Sequence, residues 1–174
     1  MKHGKPDSVV LHRLRYRSPI GPIECLFDDA TLVALDFEAT SPRTLSLLAR
    51  NLGTLEIDEA PDRLALADTL DRYFAGELRA LDALEVRRYG TKFQQKVWSA
   101  LRKIPAGETT SYQALAAKLH VSKAQRAVGA ANGANPISLV VPCHRVIGSD
   151  GSLIKYGGGI DRKRWLLKHE GALT

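Results

Sequence analysis

The hydrophobic pattern of the chain changes near its middle, and this change limits the folds that the sequence can adopt. Val9 to Tyr16 alternates apolar and polar residues, and two short apolar runs flank Asp28-Asp29, which is the pattern of paired strands. Beyond residue 90 the apolar residues recur at helical spacing instead. The sequence therefore predicts an α+β protein, with a small β-sheet in its first half and mostly helices in its second.

Two helices are predicted to cover the sheet. The first runs from Pro42 to Leu52 and is followed by Gly53, a residue suited to the turn after a helix. The second runs from Asp62 to Phe74, with apolar residues at helical spacing. The first half should therefore form a sheet with helices packed on it.

The charge changes where the hydrophobic pattern changes. We place a domain boundary in the mixed stretch 77–90, so that the first domain spans residues 1–86 and the second spans residues 87–174. Residues 1–89 contain 12 Lys and Arg against 15 Asp and Glu, whereas residues 90–174 contain 13 against 4. A basic half joined to a mildly acidic one favours a polyanionic partner for the second half, and a solvated basic face explains the charge equally well.

The second half begins with three predicted helices. Thr91 can cap the first, whose apolar stripe includes Phe93 and Val97, and Ser111 can cap the second. A short turn leads to the third, from Lys123 to Ala131. Two short helices joined this tightly in a basic domain are typical of a helix-turn-helix, although such pairs also occur as plain packing units.

Several classes of protein are disfavoured by what the chain lacks. It has no run of about 18 apolar residues that could span a membrane, and its first residues lack the apolar stretch of a secretory signal. Its two cysteines, Cys25 and Cys143, do not support a disulfide framework, so we expect a cytoplasmic protein. Structural zinc needs four ligands, and Cys25 with His3 and His12 is a poor set. No metal and no membrane partner are predicted.

The residues around Cys143 contain the strongest chemical signal. The apolar run from Ile137 to Val141 predicts a buried strand, and Cys143, His144 and Arg145 follow shortly after it. A thiol attacks as a thiolate, so a nearby base or positive charge activates it. A cysteine beside a strand is more often inert, but glycine-rich loops follow this one and a helix pair precedes it. Together these features suggest chemistry performed on nucleic acid.

The segment VPCHRVIG, from Val141 to Gly148, resembles the active-site signature of the O6-alkylguanine-DNA alkyltransferases, also called methylated-DNA–protein-cysteine methyltransferases. The likeness covers nearly the whole second half, and the first half fits more loosely through residues 18–22 and 33–37. The resemblance implies a ribonuclease H-like first domain and a mostly helical, winged helix-turn-helix second domain that carries the active site.

The resemblance also implies an activity. Members of this family transfer an alkyl group irreversibly from O6 of guanine to their own cysteine, which here would be Cys143. His144, acting through a water molecule, and Glu170 would form the relay that activates the thiol, and Asn135 would hold the turn around the site. The protein would act once per molecule and would need no cofactor, because the cysteine itself receives the group.

The remaining site residues follow from the same resemblance. The Tyr112 hydroxyl would donate a proton to the departing guanine, backbone carbonyls of Cys143 and Val146 would read the base, and the Gly157 N–H would meet O6. Tyr156 and Lys163 would belong to the same base-binding pocket. Ser138, Ile154 and Lys155 differ from residues common in the family, which bears on the size of the alkyl group accepted.

The partner implied is double-stranded DNA containing O6-alkylguanine, bound in the minor groove. A base inside a duplex cannot be reached, so the nucleotide must be flipped out. Arg126 would then intercalate from the recognition helix and fill the vacated stack. The other DNA-binding residues implied are Ser111, Lys123, Ala127 and Gly129. We expect a monomer, and we leave open cooperative assembly on DNA and activity on O4-alkylthymine.

Two other functions fit part of the sequence. A non-catalytic helix-turn-helix protein, acting as a damage sensor or regulator, would tolerate serine at Cys143. A cysteine hydrolase built on Cys143 and His144 would turn over many times and would leave Arg126 without a role. The stoichiometry of the reaction and the effect of replacing Cys143 separate these hypotheses from alkyl transfer.

Overall fold

The computed structural model describes residues 8–174, so His3 lies outside the described residues. The first half contains a four-stranded sheet with the strand order β3-β2-β1-β4. Its strands are β1 (Val9–Ser18), β2 (Gly21–Phe27), β3 (Leu32–Asp36) and β4 (Leu55–Glu59). Strands β1 to β3 pair antiparallel, and β4 pairs parallel with β1.

The predicted hairpin is present between β2 and β3. The Asp28 carboxylate closes its turn by accepting hydrogen bonds from the backbone N–H groups of Ala30 and Thr31, at 3.0 and 2.7 Å. Such Asx turns favour a tight reversal of the chain. The edge strand β4 was not predicted, because its polar residues alternate with only Leu55 and Ile57.

Two helices accompany this sheet. Helix α1 (Pro42–Leu52) has the predicted limits, with the Ser41 side chain as its N-terminal cap. Helix α2 (Leu66–Phe74) begins later than the predicted Asp62. The Asp62 carboxylate instead accepts hydrogen bonds from the first N–H groups of the helix, those of Leu66 and Ala67, while Ala65 has a positive φ of 53°. The prediction therefore took a capping segment for the first turn of the helix.

The second half contains four helices and a two-stranded parallel sheet within the described residues. After a short 3₁₀ helix (Ala80–Ala83), the elements are α3 (Lys92–Leu101), β5 (Thr110–Ser111), α4 (Tyr112–Lys118), α5 (Gln125–Gly133), β6 (Val146–Ile147) and α6 (Ile160–His169). Thr91 and Gln94 form a capping box at the start of α3, and Ser111 caps α4. The predicted helix pair is therefore present as α4 and α5.

The predicted strand from Ile137 to Val141 is wrong. This segment is a compact turn, in which the Val141 N–H bonds to the Ile137 carbonyl and Leu139 has a φ of 68°. Only one isolated bridge, between Leu35 and Ile137, joins it to the first sheet. Its apolar residues are buried because the turn packs between the two halves, and a buried turn and a buried strand have the same hydrophobic pattern.

The largest buried cluster joins the two halves of the molecule. It contains apolar side chains from the first half, such as Ile23 and Leu70, together with Leu101, Val128 and Cys143 from the second. A smaller cluster lies beneath α1. The turn that leads to Cys143 is itself part of this shared cluster. Among residues 8–174, no helix combines the length and apolar character needed to cross a bilayer.

Candidate active site

Cys143 lies where the apolar turn ends, as the first residue of a 3₁₀ helix formed by Cys143–Arg145. This helical turn directs all three side chains into the protein, and each of the three residues is buried. The thiol borders a cavity of about 650 Å³ that both halves line, with Asp36 and Phe37 from the first half and Asn135 and Tyr156 from the second. The cysteine is therefore buried and yet borders a cavity large enough for a small ligand.

His144 is fully buried and faces Glu170, the residue that follows α6. Its Nε2 atom lies 2.9 Å from the Oε1 atom of Glu170. Because a carboxylate only accepts hydrogen bonds, we assign the imidazole proton to Nε2. The other ring nitrogen, Nδ1, is buried and has no hydrogen-bond partner among residues 8–174. Nδ1 is therefore free to accept a proton.

Arg145 stabilises the charge of Glu170. Its guanidinium donates from Nε to Oε2 at 2.9 Å and from Nη2 to Oε1 at 2.8 Å. Burial opposes ionisation of Glu170, but hydrogen bonds from His144 and Arg145 outweigh it and hold the pKa of Glu170 well below its usual range. Arg145, considered above as an activator of the thiol, is in fact the counter-ion of this carboxylate.

The resting state of the site has a neutral thiol and a neutral imidazole. Burial raises the pKa of Cys143 to about 11, although a hydrogen bond with Asn135 and the charge of Lys163 act in the opposite direction. Burial lowers the pKa of His144, and the bond to Glu170 offsets this only in part. A neutral imidazole is the form that can accept the proton of the thiol.

Asn135 holds the turn that precedes Cys143. Its side chain donates to the Val141 carbonyl at 2.7 Å and accepts from the Ile137 N–H at 3.0 Å, so it bonds to both ends of the apolar turn. These two bonds are the contacts that the role predicted for Asn135 requires. Ser138 lies inside the same turn and lines the cavity.

Lys163 lies beneath the pocket and not at its surface. Its Nζ atom donates to the Val146 carbonyl at 2.6 Å and to the Ile154 carbonyl at 2.9 Å, so it joins β6 to the loop before Tyr156. Burial lowers the pKa of Lys163 to about 8. Lys163 thus contacts the walls of the pocket. The Val146 carbonyl, which is predicted to read the base, already accepts a hydrogen bond from this lysine.

The glycine-rich loop after Lys155 forms another wall of the cavity. Tyr156 and Gly157 line it, and a Cβ at Gly158 would lie 2.7 Å from ring carbons of both Phe37 and Tyr156. The Arg162 guanidinium lies 4.0 Å from the centre of the Phe37 ring and bonds to the Gly158 carbonyl at 3.1 Å. This loop is therefore packed against the first half of the molecule.

Tyr112 begins α4 and lies next to α5. Its hydroxyl accepts a hydrogen bond of 3.5 Å from the Asn132 side chain, and its ring lies beside Gly129. Burial, and then the negative charge of an ionised Cys143, raise the pKa of Tyr112, so the hydroxyl keeps its proton at neutral pH. The Tyr112 hydroxyl at the start of α4 is therefore able to donate a hydrogen bond.

The exposed face of α5 carries two of the predicted DNA-binding residues. Arg126 and Ala127 are exposed, whereas Val128 on the same helix is buried in the core. Lys123 is exposed just before the helix begins. The Ser111 hydroxyl accepts a hydrogen bond from the Ala114 N–H, so its side chain is already engaged in capping α4.

One neighbour of the relay could not be found from the sequence. Tyr73, on α2 in the first half, donates its hydroxyl proton to Oε1 of Glu170 at 2.7 Å. The two residues are 97 positions apart, and no local pattern joins them.

A buried cysteine with a His–Glu pair, together with a helix-turn-helix whose second helix exposes Arg126, is typical of a DNA-binding protein with a reactive thiol. Two family models match the chain. The DNA-binding domain of 6-O-methylguanine DNA methyltransferase matches residues 92–172, and the ribonuclease-like domain of the same proteins matches residues 11–87. The chain therefore belongs to the 6-O-methylguanine DNA methyltransferase family.

Individual relatives agree with this assignment. The methylated-DNA–protein-cysteine methyltransferase of Salmonella typhimurium is 49% identical over 160 residues, which cover 90% of this chain and 93% of that protein. The crystal structure of Mycobacterium tuberculosis OGT in complex with DNA is 41% identical, with a TM-score of 0.76 and 94% of each chain covered. The O6-methylguanine-DNA methyltransferase of Pyrococcus kodakaraensis is 28% identical, with a TM-score of 0.72, covering 92% of this chain and 99% of that one. The family and the fold class predicted from the sequence are confirmed.

Proposed function

We propose that this protein repairs DNA by transferring the methyl group of O6-methylguanine to its own Cys143, once per molecule. One observation carries the proposal at the site. The residue after the cysteine is a buried histidine whose Nε2 is fixed by Glu170 and whose Nδ1 has no hydrogen-bond partner in the described part of the chain. This is the arrangement of a general base held in place by a carboxylate.

The transfer is a direct displacement at carbon. The Cys143 sulfur attacks the methyl carbon, so that the S–C bond forms while the bond between carbon and O6 breaks. The thiol proton passes through one water molecule to Nδ1 of His144. The departing guanine receives a proton from the Tyr112 hydroxyl, and the proton taken up by His144 returns through water to Tyr112, so that the thiol proton ends on the guanine. The products are S-methylcysteine and guanine, and no cofactor takes part.

The position of the thiol requires the base to leave the helix. Cys143 borders the cavity and is only 6% exposed, so a guanine still stacked in a duplex cannot approach it. Arg126, exposed on α5, would fill the vacated place, since a guanidinium stacks well on bases. Lys123, Ala127, Gly129 and Ser111 would lie along the minor groove, whose degenerate code suits a protein that searches for damage in any sequence.

Substrate range and organisation belong to the same proposal. Ser138 and Lys155 line the cavity and Ile154 precedes Lys155 in the chain, so these residues bear on the size of the alkyl group and on activity with O4-alkylthymine.

We propose a cytoplasmic monomer with domains 1–86 and 87–174. The two family models, which end at residue 87 and begin at residue 92, support this division.

The test is a titration of duplex DNA that contains O6-methylguanine. Protein is added in increasing amounts, the DNA is digested to nucleosides, and the restored guanosine is measured. We expect one guanine restored per protein molecule and none with Cys143→Ser. DNA binding without restored guanine would favour the non-catalytic sensor, and several guanines per protein molecule would favour a hydrolase.

A further inference from the structure

Tyr73 connects the first half of the molecule to the predicted relay. It lies in the last turn of α2, where its ring is fully buried. Its hydroxyl oxygen is 2.7 Å from Oε1 of Glu170, and its backbone carbonyl is 2.8 Å from Nε2 of His169. The end of α2 is therefore joined to the end of α6 at two points.

The oxygen that Tyr73 contacts is the same atom that His144 contacts. Oε1 of Glu170 accepts from Nε2 of His144 at 2.9 Å, from Nη2 of Arg145 at 2.8 Å and from the Tyr73 hydroxyl at 2.7 Å. His144 and Arg145 come from the helical turn that carries the thiol. Of these three donors, only Tyr73 comes from the other half of the molecule.

We propose that Tyr73 is a positioning residue for methyl transfer, which rests on the function proposed above. It fixes the carboxylate that orients His144, so the first half of the chain completes the relay of the second half. Tyr73 touches neither the thiol nor the base, and it acts only through Glu170.

The chemistry of the contact suits this role. Hydrogen bonds to an ionised group are stronger than those between neutral groups, and each bond within a buried network helps to fix the geometry of the others. The Tyr73 hydroxyl does not lose its proton during transfer, because burial and then the charge of Glu170 raise the pKa of Tyr73 far above its usual value. It therefore remains a donor at every pH at which the protein works.

Removing the Tyr73 hydroxyl leaves Oε1 of Glu170 with two hydrogen bonds, from His144 and Arg145. Besides His144, the Glu170 carboxylate is then bonded only by Arg145 among the side chains of residues 8–174, through its Nε and Nη2 atoms. The carboxylate can rotate toward this guanidinium, which lengthens its bond to His144 and loosens the imidazole. The expected effect is a slower transfer of the thiol proton, with no change in DNA binding.

Tyr73→Phe tests the proposal, and Tyr89→Phe is its matched control. Tyr89 is also buried and also donates one hydrogen bond, to the Val33 carbonyl at 2.6 Å, but it lies in the other buried cluster. Two quantities are measured for each variant. One is the single-turnover rate of methyl transfer from duplex DNA, and the other is the NMR resonance of the His144 Nε2 proton, which reports the strength of its bond to Glu170.

We expect Tyr73→Phe to lower the transfer rate about 10-fold, which corresponds to about 1.4 kcal/mol and to the low end for a hydrogen bond to a charged group. The Nε2 proton resonance should move upfield, and Tyr89→Phe should change neither quantity. A wild-type rate in Tyr73→Phe, a slower rate with an unmoved resonance, or equal losses in both variants would each overturn the proposal. If the wild-type protein transfers no methyl group, the proposed function fails, while the resonance still decides whether Tyr73 positions His144.

Discussion

The two cysteines of this protein are both buried, but their surroundings differ. Cys25 lies in β2 and is 0% exposed, and Cys143 borders the cavity and is 6% exposed. Burial raises the pKa of Cys25 to about 12 and that of Cys143 to about 11. By burial alone, neither thiol would be a nucleophile at neutral pH.

The two thiols differ in the groups that surround them. The charged groups that influence Cys25 are Asp62 and Glu24, which raise its pKa further. For Cys143, Asp36 also raises the pKa, but Asn135 and Lys163 lower it, and the residue after the cysteine is a neutral histidine. In the proposed mechanism, Cys143 becomes reactive through the neighbouring base His144 and the open cavity, and exposure to solvent is not required.

Matched substitution of the two cysteines should show the largest effect. We expect Cys143→Ala to abolish methyl transfer completely, because Cys143 is the thiol that borders the cavity in residues 8–174. Cys25→Ala should retain the wild-type rate and lose only stability, as other large-to-small core substitutions do. The rate of guanine restoration in duplex DNA measures both. Comparable losses in the two variants would remove the distinction between the thiols.

The general base, His144, is the next feature to test. We expect His144→Gln to slow transfer by about 10²- to 10⁴-fold, the usual contribution of a general base. Single-turnover kinetics measure the effect, and binding to unmodified duplex DNA, which should not change, serves as the control. A rate close to that of the wild type would mean that Cys143 does not depend on this neighbour.

The pH dependence of transfer should follow the same histidine. Because burial lowers the pKa of His144 below its usual 6.5, the imidazole is neutral and able to accept a proton at pH 7. The rate should therefore change little around neutral pH and fall in acid, by about tenfold per pH unit once the imidazole is protonated. A rate that already falls between pH 8 and pH 7 would contradict a neutral resting histidine.

Access to Cys143 should depend on Arg126. Arg126→Ala should slow repair of duplex DNA by at least about 10-fold more than reaction with free O6-methylguanine, because intercalation matters only within the base stack. Lys168→Ala removes an equal charge from an exposed position on α6 and should affect the two substrates alike. Equal losses on both substrates in Arg126→Ala would rule out the intercalating role.

Methylation itself should have the smallest effect. A methyl group added to Cys143 must fit against a closely packed turn, so we expect the free energy of unfolding to fall by about 1–3 kcal/mol. Thermal unfolding before and after reaction measures the change. The same protein treated with unmodified DNA is the control, and an unchanged melting temperature would indicate that the cavity accepts the methyl group without strain.

Local features of this fold are visible in the sequence, and tertiary ones are not. The limits of α1 follow from Ser41, Pro42 and Gly53, which determine its ends locally. The turn from Ile137 to Val141 has the hydrophobic pattern of a strand, and its actual shape depends on hydrogen bonds with Asn135 and on packing between the halves.

The active site likewise has residues that the sequence predicts and contacts that only the folded structure shows. Cys143 and His144 lie in a recognisable segment and Glu170 follows from the same family resemblance, and the structure places His144 and Glu170 in contact. The pairing of Arg145 with Glu170 and the contribution of Tyr73 depend on how α2 and α6 meet. Such contacts follow from the packing of distant elements, and no pattern along the chain encodes them.

The most direct test of the central claim is to locate the transferred group. The protein is allowed to react to completion with duplex DNA containing O6-methylguanine, and its peptides are then mapped by mass spectrometry. We predict a gain of one CH₂ per molecule, found only on the peptide that contains Cys143. A methyl group on Cys25 or on any other residue, or unmodified protein alongside repaired DNA, would contradict the account.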